Sequence, residues 1–143
     1  YKLALELFLK KIRINKKNLY PIKTNYKNIF ICCKTYEKKI NEYFNFKDIN
    51  FDIFLIGMGK DGHILSLFPK SNILKKKFVV KSVARKDFKR ITMSLKIINN
   101  SKKICLWLNS KDKSEKYKEL KTFGNKIPVN NLKKSKLNLF KIN

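Results

Sequence analysis

The sequence predicts an α/β fold, an open and mostly parallel sheet with helices packed on both of its faces. Segments of strand composition alternate with segments of helical periodicity along the whole chain, the pattern that parallel crossovers produce. One run, "DIFLIG" at residues 52–57, is apolar at successive positions from Ile53 to Ile56, as expected of a central strand covered on both sides. The loop behind that run holds three of the chain's four glycines, Gly57, Gly59 and Gly62, directly ahead of its single histidine, His63.

The elements follow in order. "YKLALELFLKKI" places Leu3, Leu7 and Ile12 beside Ala4 and Phe8, an amphipathic helical spacing that ends at the turn formers and proline of "NKKNLYPI". "ICCKTYEKKINEYF" carries Cys33, Tyr36, Ile40 and Tyr43 on one helical face. After "INFDIFLIG" and the glycine loop, "HILSLF" reads as the first turns of a short helix before Pro69. "KFVVKSVA" reads as a strand and "RKDFKRITMSL" as a basic loop leading into another. "KIINNS" reads as a short helix and "KKICLWLNS" as a buried strand containing Trp107. "KDKSEKYKELKTF" reads as a polar helix with Tyr117, Leu120 and Phe123 inward, closed by Gly124. "IPVNNLKKSKLNLFKIN" supplies a helical turn and a last strand. No repeat or linker divides the chain, so residues 1–143 read as one domain.

The net charge of +25 raises the question of nucleic acid. The cations are nearly all lysine and are spread through every segment; the arginines are only Arg13, Arg85 and Arg90. Without an arginine–aromatic interleave or a known binding motif, the charge reads as solvated surface, and no nucleic-acid partner is expected. An anionic small substrate would still be drawn in by the field. No apolar run approaches the roughly 20 residues of a membrane helix, so no membrane partner is expected. Cys32, Cys33 and Cys105 lack metal-ligand spacing and sit among apolar neighbours, which reads as reduced thiols in a cytoplasmic protein without a metal.

In open α/β sheets, ligands sit beyond the carboxyl ends of the strands. Gly57, Gly59 and Gly62 let a ligand approach the backbone, and their amide N–H groups suggest a cradle for an anion or an oxyanion. His63 stands at the mouth of such a pocket, and imidazole is the side chain that exchanges protons near neutrality. Asp61 shapes the turn or orients the ring. "GMGKDG" also matches the dinucleotide-binding spacing, but the acidic residue wanted ~20 positions later is only Asp87, in a basic loop, so that reading is set aside.

"FDIFLIGMGKDGHILSLFPKS" resembles the 6-phosphogluconolactonases, which carry a strand, then Gly-x-Gly-x-Asp-Gly-His, then an apolar-Ser-Leu-Phe-Pro tail. "YKLALELFLKKIRINKKNLYPI", "RITMSLKIINNSKKICLWLNSKDKSEKYKEL" and "IPVNNLK" are similar to further segments of that family, in the same order. The resemblance implies a Rossmann-like fold and hydrolysis of 6-phosphoglucono-1,5-lactone to 6-phosphogluconate in the oxidative pentose phosphate pathway, with no cofactor. It implies His63 as the general base toward water, with Asp61 beside it, and Arg90 as a phosphate-binding cation. Lys86 or Arg85 would be the second phosphate clamp, although "RKDFKR" lacks the family's prolines. Ser66, three residues past His63, reads as a cap or packing residue, because the family's mechanism uses water.

The nearest rival is glucosamine-6-phosphate deaminase, which shares the glycine–histidine loop. Its members follow the histidine with Ile-Ala-Phe-Asn-Glu-Pro, whereas Ser66, Leu67 and Phe68 precede Pro69 here. A non-catalytic relative or basic binding module is the rival from another class. Leu65 stands where the family usually has alanine. The resemblance begins at Tyr1, about a third of the way into a complete lactonase. The family's Gly-Gly-Ser/Thr loop and Asp-Glu-Arg segment lie before that point, so the domain reads as N-terminally incomplete. The 143 residues alone are then expected to be inactive or very weakly active and poorly stable, with "DIFLIG" left at an unpaired edge. Some parasite members of the family are fused ahead of a glucose-6-phosphate dehydrogenase, and the composition suits such a source.

Overall fold

A computed structural model describes residues 1–84, 88–109, 118 and 127–142. Helix α1 (Lys2–Ala4) widens into one broad turn over Leu5–Leu9, in which the Lys10 N–H reaches the carbonyl of Leu5 at 3.0 Å. Helix α2 (Ile29–Tyr43) is followed by β1 (Ile53–Gly57), β2 (Val80–Ala84), β3 (Lys89–Met93), α3 (Leu95–Asn100), β4 (Lys103–Asn109) and β5 (Leu137–Ile142). Strands β1, β4 and β5 form a parallel sheet in that order, and β2 and β3 pair separately as an antiparallel ribbon.

The helices begin where the sequence offers caps. The Asn28 side chain accepts the Phe30 N–H at 2.8 Å and starts α2, and the Ser94 hydroxyl accepts the Ile97 N–H at 3.4 Å to start α3. Helix α2 turns Cys33 and Ile40 into a core shared with Ile49, Val80 and Ile97, and packs on β2 and β3. Tyr43, expected on the same face, is largely exposed and instead sets its ring edge-on to Tyr20 at 5.4 Å.

The main core lies on one face of the parallel sheet. Ile56, Ile104, Leu106 and Leu108 pack there against Leu95 and Ile98 of α3 and against Ile127, Val129 and Leu132. Asn99 at the end of α3 locks this layer, accepting the Lys133 N–H at 2.7 Å and donating to the carbonyl of Asn131 at 3.0 Å.

The expectation of a central β1 covered on both faces is corrected. Among the described strands β1 pairs only with β4 and stands at the edge, with Ile53 57% and Leu55 66% exposed. The register puts these two residues on one face with Lys103, Cys105, Trp107 and Phe140. No described element covers that face closely enough to bury it. Trp107 is therefore not a core residue; it is 46% exposed and stacks on Phe140 at 4.9 Å. The apolar face of the first helix is likewise exposed at Leu3, Leu7, Phe8 and Ile12, and Tyr1 is exposed beside it.

A second correction concerns "HILSLF", which forms no helix. Ile64 bridges both Met58 and Leu67, and Leu65 between them takes a left-handed φ of 51° that no helix tolerates. The i, i+3, i+4 spacing of Ile64, Leu67 and Phe68 imitates a helix, yet Ile64 and Leu67 are fully buried because the turn folds both onto the main core. The polar helix read over residues 111–123, with Gly124 at its end, lies outside the described residues apart from Lys118, which is helical. Among the described residues no helix is long and apolar enough to cross a membrane.

Candidate active site

The loop over residues 57–68 leaves the carboxyl end of β1 and is fixed from below. Met58, Ile64 and Leu67 are buried in the main core, and full burial of an isoleucine or leucine contributes about 2 kcal/mol. From the side, the buried hydroxyl oxygen of Thr92 on β3 accepts the Ser66 N–H at 3.3 Å. Ser66 itself is buried, in keeping with a packing role. The rigid part of the loop thus carries His63 outward, with its side chain a quarter exposed.

Asp61 shapes the turn and orients the ring at once. One carboxylate oxygen, Oδ1, receives the His63 backbone N–H at 3.2 Å and the ring Nδ1 at 2.5 Å. Desolvation pushes the Asp61 carboxyl up, but hydrogen bonds from the His63 ring and backbone, together with the imidazole's charge, outweigh it. The carboxyl is held below its ordinary range. An ionised carboxylate only accepts, so Nδ1 carries the hydrogen of this contact.

This arrangement has a pH consequence. The folded Asp61 titrates below the ordinary value of 3.8, so its stabilising contribution is fully present above pH 3.8 and is lost as pH falls through the lower folded value. Acid unfolding of Asp61→Asn is therefore expected to lose part of the wild-type pH dependence below that point. Parallel acid titrations followed by circular dichroism check this, and superimposable curves would contradict it.

The three glycines have different reasons to be there. A Cβ on Gly59 would run into the His63 imidazole, so the ring lies directly across its backbone. Gly62 takes a φ of 83°, a conformation that side chains disfavour. Gly57 would place its Cβ in open space. The amides are less available than the sequence suggests, because the Gly59 N–H donates to the His63 carbonyl at 2.8 Å and the Gly62 N–H to the Gly59 carbonyl at 3.0 Å. Those two groups close the loop rather than face a ligand.

Arg90 lies half-buried on β3, and its Cζ stands 5.9 Å from the Phe68 ring centroid and 5.8 Å from that of Phe88. The His63 ring lies 4.7 Å from the same Phe68 centroid. The structure therefore brings Asp61, His63 and Arg90 into one neighbourhood through Phe68. Arg85 and Lys86 lie outside the described residues. Sequence reasoning missed Phe68 and Thr92; the alternation of Arg90 and Thr92 along a strand was the available signal that both face the loop.

A cavity of about 220 Å³ lies elsewhere, against α2, lined by Tyr20, Tyr36, Lys39, Tyr43 and Phe51 among others. It holds no carboxylate–imidazole pair. The Asp61–His63 pair, and not cavity size, makes residues 57–68 the candidate site.

The chain matches the family described as glucosamine-6-phosphate isomerases/6-phosphogluconolactonase over residues 1–140. It is 36% identical over 117 residues to a probable 6-phosphogluconolactonase 5 of Arabidopsis thaliana, covering 71% of this chain and 46% of that protein. It is 32% identical over 143 residues to the chloroplastic 6-phosphogluconolactonase 3 of the same plant, with 90% and 44% covered. The chain thus spans about half the length of these relatives. Among solved structures, a Plasmodium vivax 6-phosphogluconolactonase superposes with a TM-score of 0.75 at 27% identity, covering 98% of this chain and 60% of that one. With the family's strand, glycine loop and histidine all in place, the chain belongs to the glucosamine-6-phosphate isomerase/6-phosphogluconolactonase family.

Proposed function

We propose that the protein carrying these residues hydrolyses 6-phosphoglucono-1,5-lactone. The observation that carries this reading is the Asp61–His63 pair, which engages Nδ1 and leaves Nε2 as the ring nitrogen not bonded to Asp61, on a partly exposed side chain in the loop that leaves the carboxyl end of β1. The similarity to proteins named 6-phosphogluconolactonase supports the choice of substrate.

In this reading Nε2 removes a proton from water as the water oxygen bonds to C1 of the lactone. The tetrahedral intermediate collapses by breaking the bond from C1 to the ring oxygen, and the imidazolium returns the proton to that oxygen. Asp61 stabilises the transient positive charge on the ring and keeps it from turning. Arg90 holds the 6-phosphate, for which a guanidinium fork is well shaped. Because the Gly59 and Gly62 amides donate within the loop, the developing oxyanion takes its donors from other groups of the complete site.

The test is a direct assay of the complete protein. Lactone opening, followed as acid release from freshly made 6-phosphogluconolactone, is expected well above the spontaneous rate. Ammonia release from glucosamine 6-phosphate is expected to be absent; the reverse result would replace a lactonase by a deaminase.

A further inference from the structure

The side chains of His63, on the loop, and Arg90, on β3, both lie against the ring of Phe68. Phe68 lies 4.7 Å from the His63 ring, centroid to centroid with a tilt of 35°, and the Arg90 guanidinium carbon stands 5.9 Å from the same centroid. The backbone on either side of this contact is held. Leu67 is fully buried, and the Ser66 N–H bonds the Thr92 hydroxyl, two residues along β3 from Arg90 and on the same face. Phe68 therefore has little freedom to move away from either neighbour. Its own side chain is half-buried, so it is not simply a core residue.

We propose that Phe68 is a positioning residue whose one ring sets the placement of both the His63 imidazole and the Arg90 guanidinium. A flat ring restrains a neighbouring imidazole by stacking, and its face attracts a guanidinium. A leucine of similar reach gives neither, and both groups gain rotational freedom about the contacts that remain, Asp61 for the imidazole and Phe88 for the guanidinium, while the buried loop anchors stay in place. The inference rests on the proposed roles of His63 and Arg90 in the lactonase reading, but the geometry it describes can be measured without turnover.

The experiment compares Phe68→Leu and Phe68→Tyr in the complete protein. Histidine and arginine side chains are labelled with ¹⁵N, and the signals of His63 and Arg90 are assigned by difference with His63→Gln and Arg90→Lys. In Phe68→Leu both the imidazole and the guanidinium Nε–H signals are expected to move toward free side-chain positions, with kcat lowered about tenfold and KM raised about threefold. Phe68→Tyr keeps the ring and is expected to restore all of these. Should the leucine variant fail to fold, Phe68→Met removes the ring at nearly constant volume and serves in its place. Movement of only one of the two signals, of neither, or failure of tyrosine to restore them overturns the proposal. A wild-type protein that does not open the lactone counts against the proposed function alone, since the two spectroscopic readouts still decide the role of Phe68.

Discussion

Replacing His63 with alanine is expected to lower kcat for lactone opening by about 10²- to 10⁴-fold, the range that a positioned general base supplies. The variant removes the ring but not the anchors beneath it. Ile64 and Leu67 remain buried, the Gly59 amide still reaches the residue-63 carbonyl, and the Ser66 N–H still meets Thr92. Thermal unfolding should therefore stay cooperative and fall only modestly, because these anchors remain while the largely buried ring and its bond to Asp61 are lost. KM is expected to hold if Arg90 carries phosphate binding, so that the defect appears in kcat. Added imidazole should recover part of the rate. Wild-type turnover in this variant would remove the imidazole from the chemistry.

Gly59→Ala is the second large effect, and it separates geometry from chemistry. The new Cβ would overlap Cε1 and Nδ1 of the His63 ring and lie 2.9 Å from Nε2, so the ring must leave its position. Leaving means breaking the bond between Nδ1 and Asp61, which fixes which nitrogen faces the substrate. Displacement of a catalytic group by about 1 Å costs on the order of 10²-fold, and a similar fall in kcat is expected here. Stability should suffer less, since the ring can swing into solvent instead of pressing on the core. Gly57→Ala is the matched control; its Cβ meets nothing within 4 Å, and activity should stay within a few fold unless the substrate itself fills that space. Equal activity of the alanine-59 variant and the wild type would show that the ring works from some other position.

Much of this was legible along the chain. The pattern of α2, the short helix of "KIINNS" and the strands over "KSVA" and "RITM" could each be read from periodicity, because each buries residues against a neighbour supplied by the chain itself, and the last strand could be read from its composition. The glycine–histidine loop was legible for a different reason: its spacing, ahead of the lone histidine, resembles a family motif. The edge position of β1 was expected from the family resemblance, but the exposure of its outer face was not legible. Residue pattern tells how apolar a strand is, but exposure depends on what lies over it, and Ile53 and Leu55 have no such cover among the described residues.

The turn at residues 64–67 failed for a related reason. Apolar spacing cannot distinguish a helix from two buried anchors joined by a left-handed leucine, since both place the same side chains inward. What the sequence determined by itself was most of the order of elements, which depends on composition and local spacing, and the family, through the motifs it resembles; it also singled out Asp61 and His63 as the candidates for proton transfer. What only the tertiary structure decided was which contacts those residues make. Residues distant in the chain, such as Phe68 and Arg90 or Ser66 and Thr92, meet through packing, and the glycine amides turn inward because their partners lie within the folded loop. Such contacts arise from the sum of all the packing at once, which no local window of sequence contains.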